Sequence, residues 1–139
     1  MAPEAFWDWA FNLVKELRGG KFFEKQLEDL ATKEPDLNAQ TGTAYSLALT
    51  DRSGIVTMDN ANSNTVTIPA NASVAFPLRT VINIVQIGAG ATSVAGDTGV
   101  TLNSVSAGSG AIGSRWNGVS LLKIGTDTWV GSGDIGVVS

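Results

Sequence analysis

The chain has no cysteine and no histidine among its 139 residues. Without cysteine there can be no disulfide bond, and without both residues there can be no zinc site of the cysteine–histidine type. Without histidine, no side chain has an ordinary pKa near neutrality, so acid–base catalysis by imidazole is excluded. The composition therefore excludes disulfide bonds, cysteine–histidine zinc sites and imidazole catalysis.

Charge is also scarce, at 16% of residues against roughly 25% in an average globular domain. A net charge of −4 argues against nucleic-acid binding, which needs clustered lysine and arginine. No apolar run approaches the roughly 20 residues of a membrane-spanning helix. The first apolar run is interrupted by Glu4 and Asp8, which is not typical of a secretory signal peptide. We predict neither nucleic-acid nor membrane partners. So few charges also favour burial of some β surface against other subunits.

The composition changes abruptly near Pro35. Residues 1–36 hold five basic and eight acidic side chains, whereas the remaining 103 residues hold only four and five. Six of the ten aromatic residues also precede the break, and the sequence after it is rich in glycine, serine, threonine and asparagine. We predict two domains, an N-terminal helical attachment segment over residues 1–36 and a β module over residues 37–139.

The apolar residues of the first segment have the spacing expected of two short helices. Pro3 and Glu4 are favourable in a first helical turn, and apolar residues then recur with helical periodicity up to Gly19–Gly20. A second helix is predicted over residues 21–32, before Pro35.

Two helices of this size cannot enclose their own aromatic side chains. We therefore predict a partner-docking surface of six aromatic residues, which are Phe6, Trp7, Trp9, Phe11, Phe22 and Phe23. Such side chains supply large contact areas and commonly anchor interfaces. The sequence leaves three coverings open: a different protein, the chain's own β module or sister subunits, and a membrane surface, which Asp8 and Glu16 disfavour.

Beyond Thr43 the apolar residues alternate with small polar ones, which is the period of a half-buried strand. Strands are predicted at 45–49, 55–58, 65–68, 74–76, 81–87, 93–95, 100–102, 119–124 and 128–130, with 81–87 central and 103–114 a long loop. Closely spaced short strands are typical of sandwiches and barrels. The predicted fold is mainly β, a short N-terminal helical segment followed by a small antiparallel β sandwich or barrel.

Several polar motifs have ordinary structural interpretations. Residues 59–64 partly resemble a calcium loop, but one carboxylate among amides favours an Asx turn. Residues 86–90 contain a G-x-G, yet no helix follows as a phosphate loop requires. Asp97, Asp127 and Asp134 lie in turn sequences with no sign of a facing carboxylate pair. We predict no catalytic, cofactor-binding or metal-binding residue, and no enzyme.

Two tryptophans of the β module could stack on sugars if they were exposed. Trp129 alternates within a predicted strand and is expected in the core. Trp116 precedes Asn117–Gly118 and is expected at the surface, so it is the candidate glycan contact.

A series of segments resembles a β module of tailed-phage structural proteins, especially tail-fibre and collar-type proteins. The segments are Tyr45–Leu49, Ile55–Ala61, Asn64–Pro69, Ser73–Pro77, Ile84–Gly90 and Leu122–Val130 with Gly133–Asp134. The resemblance covers about Thr41 to Ile135. It implies a virion structural protein, often homotrimeric, that is displayed on the particle surface and has no catalytic site.

A docking helix and a β knob in a chain of 139 residues resemble a capsid decoration (cement) protein more than a fibre. We therefore expect a non-enzymatic homotrimer whose N-terminal helices attach to the major capsid protein or another virion protein. The alternative is a short tail fibre or adhesin module that binds a host surface glycan.

Overall fold

The computed structural model describes residues 36–139, which form eleven β-strands and one short 3-10 helix, Leu49–Asp51. The strands are β1 Leu37–Gln40, β2 Ala44–Ser46, β3 Ile55–Met58, β4 Asn64–Ile68, β5 Val81–Gln86, β6 Thr92–Gly96, β7 Thr101–Leu102, β8 Val105–Ser106, β9 Ser109–Ala111, β10 Gly118–Gly125 and β11 Thr128–Gly133. The prediction of a mainly β module is confirmed. The predicted N-terminal helices fall on residues outside the described part and stay a prediction.

The strands form two mixed sheets. The larger sheet has the order β1-β3-β5-β10-β11-β7-β8, and the smaller has the order β2-β4-β6-β9. The first six strands alternate between the two sheets, so the chain winds as a coil of three turns. Within each sheet these successive strands are parallel.

The prediction of a purely antiparallel architecture was therefore wrong. After each of the first strands the chain crosses to the other sheet and then returns. Successive strands of one sheet therefore run in the same direction. Antiparallel pairing joins β10 to β5 and β11, β6 to β9, and β7 to β8. Alternation of side chains along a strand carries no information about the direction of its neighbour.

The loops that follow β1, β3 and β5 stack directly on one another. The Asn60 side chain donates from Nδ2 to the carbonyl of Thr41, and the Gly90 amide donates to the carbonyl of Asn60, each at 2.8 Å. A Cβ at Gly90 would overlap the carbonyl of Asn62, so only glycine fits this contact. The Asn60 Oδ1 accepts from the Asn62 amide at 2.8 Å, which is the predicted Asx turn.

One apolar core lies between the two sheets and contains fifteen buried side chains. Trp129 is the largest of them, and its ring meets Phe76 edge to face at 5.6 Å between centroids. The core position predicted for Trp129 is confirmed, as is the central place of β5 between β3 and β10.

Several predicted boundaries differ from the structure by a residue or more, β1 was not predicted, and three segments differ in kind. Residues 103–114 are more than a loop, since they include β8 and β9, and β9 pairs with β6. Residues 74–76 form no strand. The strand predicted at 45–49 stops at Ser46, because the backbone turns into the 3-10 helix at Leu49. These short pairings depend on partners distant in sequence, which local periodicity does not reveal.

Candidate functional site

The outer face of the larger sheet presents aliphatic side chains on five adjacent strands. We define it by the outward positions of β1, β3, β5, β10 and β11, which are Leu37, Ala39, Ile55, Thr57, Val81, Asn83, Val85, Gly118, Ser120, Leu122, Ile124, Val130 and Ser132. None of these side chains is ionisable. Leu37 is 66% exposed and Ile124 is 56% exposed. Contiguous apolar surface of this kind usually marks an interaction site.

The strand register arranges the outer face in rows. One row joins Val81, Leu122 and Val130 across three strands and is entirely aliphatic. A second row passes from Leu37 on the edge strand β1 and Ile55 on β3 to polar residues on β5, β10 and β11. Within this row the Ser120 Oγ donates to Asn83 Oδ1. These two oxygens would therefore stay paired if the row were buried.

A groove of about 320 Å³ crosses the outer face over β5, β10 and β11. It exists because Gly118, Ser120, Ser132 and Gly133 carry little or no side chain where the neighbouring rows carry aliphatic ones. The outer face therefore has both a depression and, at Leu122 and Ile124, projecting apolar side chains.

The second surface feature is the loop that carries Trp116. Its indole is 66% exposed, as predicted, and the Arg115 guanidinium lies 5.3 Å from the ring centroid. The loop is fixed by bonds from the Trp116 amide to the Gln86 carbonyl at 2.7 Å and from Asn117 Nδ2 to Asp134 Oδ2 at 2.7 Å. An aromatic platform beside hydrogen-bonding groups has the chemistry to stack on a sugar ring.

The backbone of Trp116 has a φ of 67°. This left-handed region is unfavourable for residues with a Cβ, and bulky side chains seldom occupy it. The surrounding hydrogen bonds therefore hold the indole outward at a cost in stability. Backbone strain of this kind is often concentrated at functional sites.

A buried carboxylate caps the first turn of the coil. Asp51 accepts from the Tyr45 hydroxyl at 2.6 Å, the Ala48 amide at 2.8 Å and Asn38 Nδ2 at 2.9 Å. Burial, assisted by the hydrogen bond to Asp51, raises the pKa of Tyr45 to about 12. Tyr45 consequently remains protonated and acts as a donor, which suits a structural role. These polar side chains face inward where the next turn places Val56, so they close this end of the core.

Lys123 is buried and serves the fold in a similar way. Its Nζ donates to Asn71 Oδ1 at 2.6 Å and to the Phe76 carbonyl at 2.7 Å. The lysine thereby ties the segment between β4 and β5 to β10. Sequence reasoning missed this role because an isolated lysine in an alternating strand resembles an ordinary surface residue.

Two other acidic residues accept hydrogen bonds from backbone amides. Asp97 accepts from the Thr98 amide at 2.8 Å, and Asp127 accepts from the Asn71 amide at 2.7 Å. Among residues 36–139, no three histidine, cysteine, aspartate or glutamate side chains group together as metal ligands do. Within the same range, no helix has the length and apolar character needed to cross a membrane.

The six aromatic residues predicted to dock on a partner all precede the described residues, and that surface stays a prediction. The outer face was missed from the sequence, although a signal was present. In β10, Leu121 and Leu122 are consecutive and Ile124 follows, so both faces of this strand carry aliphatic side chains.

Scans of the chain against protein-family models, curated proteins and solved structures found no match. The geometry of the described residues and the sequence resemblance are therefore the basis for the functional proposal.

Proposed function

We propose that this chain is a non-enzymatic structural protein of a tailed-phage virion, in which it decorates the capsid surface. In this proposal the β module is the exposed knob of a homotrimer. The segment of residues 1–36 attaches to the major capsid protein or another virion protein through its aromatic side chains. No cofactor takes part.

The observation that carries the proposal is the uncharged outer face of the larger sheet. An exposed β surface with aliphatic side chains on several adjacent strands is unfavourable for an isolated protein in water and favours subunit contact. Together with the resemblance to phage β modules, this supports a role in a particle built from repeated subunits.

Purified particles provide the test of location. Mass spectrometry would measure the amount of this chain relative to the major capsid protein in particles from the source culture. A ratio comparable with that of the capsid protein is expected for decoration. A few copies per particle would favour the fibre alternative, and absence from intact particles would refute a virion role.

The attachment role of the N-terminal segment can be tested with matched variants. We expect Trp9→Ala to reduce co-sedimentation of the full chain with capsids prepared without this protein. An anchoring aromatic side chain commonly contributes about 2 kcal/mol or more to binding, which is roughly a 30-fold change in affinity. Trp116→Ala is the control, since it removes an exposed indole from the β module. Equal binding by both variants and the unmodified chain would contradict the proposed anchor.

The adhesin alternative has one specific observation in its favour, the exposed indole of Trp116 on a strained backbone. A host glycan that stacks on this ring would quench or shift its fluorescence on titration. Loss of saturable glycan binding in Trp116→Ala would support the alternative, and its persistence would rule out Trp116 as the contact.

A further inference from the structure

We propose that the outer face of the larger sheet is the surface through which copies of this chain contact one another. This inference rests on the proposed homo-oligomer and specifies where its subunits meet. The partner that covers the face is a second copy of the same chain.

The absence of charge on the outer face favours an identical partner. A surface without ionisable groups can be buried against its own copy without isolating any charge from water. A partner surface carrying lysine, arginine, aspartate or glutamate would lose their hydration and find no opposite charge here. The hydrogen bond from Ser120 to Asn83 also remains intact on burial, since both groups belong to one copy.

The outer face carries both projecting side chains and a groove. Leu122 and Ile124 project from one end of β10, whereas the groove bounded by Gly118 and Gly133 lies at the other end. The projecting side chains of one copy can therefore occupy the groove of the next. Two copies packed face to face in opposite directions fill both grooves at once, whereas a trimer through this face requires each copy to divide it between two neighbours.

The size of the outer face sets the expected strength of association. Five strands about 4.8 Å apart, each with about five residues at 3.3 Å, cover roughly 24 Å by 17 Å. Allowing for side-chain relief, two such faces bury on the order of 1,000 Å², near the lower limit of specific interfaces. We therefore expect association that is reversible and depends on protein concentration.

The test compares two valine-to-lysine variants of the full chain. Val130 lies in the aliphatic row of the outer face, whereas Val137 is 93% exposed on the C-terminal tail, whose neighbouring residues Gly136 and Ser139 bond to β9 of the smaller sheet. Light scattering should show a multiple of 14.4 kDa for the unmodified chain and for Val137→Lys. Val130→Lys should shift to the monomer mass at the same concentration, because its lysine would be buried without a partner.

Circular dichroism and the unfolding midpoint confirm that each variant is folded, and Ile124→Lys serves as a second variant if Val130→Lys is not. A folded variant that keeps the full oligomeric mass would overturn the outer face as the contact but leave the proposed virion role standing. A dimer that Val130→Lys dissociates would support the contact and refute the trimer. An unmodified chain that is monomeric at its highest soluble concentration would overturn this inference, while the particle composition would still test the proposed function.

Discussion

Replacing Tyr45 with phenylalanine should remove a pH-dependent part of the free energy of unfolding. The Tyr45 hydroxyl donates to Asp51 Oδ2 at 2.6 Å and accepts from Asn38 Nδ2 at 2.8 Å. A hydrogen bond to a charged group contributes about 1.5–3 kcal/mol. Because Tyr45 is only half-buried, solvent screens this bond, and we expect a loss of about 1.5 kcal/mol at neutral pH.

The pH dependence has a defined sign. The pKa of Tyr45 is raised from 10.0 to about 12 by burial first and then by the hydrogen bond and charge of Asp51. The folded protein thus holds this proton more tightly than the unfolded chain, so the stabilisation is complete below pH 10 and is lost as the pH rises towards 12. At 1.36 kcal/mol per pKa unit the full effect is roughly 2.7 kcal/mol, which partial exposure reduces to about 1–2 kcal/mol.

The assay is direct because Tyr45 is the only tyrosine in the chain. The ultraviolet absorbance of tyrosinate reports its titration alone, and we expect a midpoint clearly above that of the unfolded chain. Urea unfolding should show that the unmodified chain is more stable than Tyr45→Phe at neutral pH and that the difference shrinks above about pH 10. A folded-state midpoint near 10, or a stability difference independent of pH, would refute the role assigned to the Asp51 hydrogen bond.

Two further predictions concern backbone positions. Gly90→Ala should destabilise the module by about 1–3 kcal/mol, because its Cβ would overlap the Asn62 carbonyl. The control Gly42→Ala should be neutral or slightly stabilising, since the atom nearest to its Cβ is 3.9 Å away. Thermal unfolding compares the two variants, and equal midpoints would contradict direct stacking of the turns. Trp116→Gly should be more stable than Trp116→Ala by about 1 kcal/mol, since glycine accepts a φ of 67° without strain. Both variants lack the indole, so the usual order, with alanine the more stable, would show that Trp116 carries no backbone strain.

Strand positions were largely predictable because the period of two marks a half-buried strand wherever the inner face is apolar. The segment at 81–87 was located as the most apolar run, and within it and the strand at 55–58 the alternate residues Val56, Met58, Ile82 and Ile84 are all buried. Strand direction was not predictable. The parallel coil depends on how each connection crosses between sheets, and the residues of a strand look the same for either direction.

The candidate sites also divide into features that the sequence predicted and one that it did not. Exposure of Trp116 and burial of Trp129 followed from their neighbours, a turn in one case and an alternating strand in the other. The outer face did not follow, because it gathers residues from five strands separated by as many as 95 positions, from Leu37 to Ser132. Only the register brings Val81, Leu122 and Val130 into one row.

The sequence by itself determined that this protein lacks cysteine and histidine chemistry, that its charge is concentrated before Pro35, and that residues after Thr43 form strands. Composition and local periodicity carry this information because they act within a few residues. The tertiary structure decided that the strands wind as a parallel coil, that Asp51 and Lys123 are enclosed in hydrogen-bond networks, and that one sheet presents an uncharged outer face. Each of these depends on contacts between residues far apart in the chain, whose energies no short segment contains.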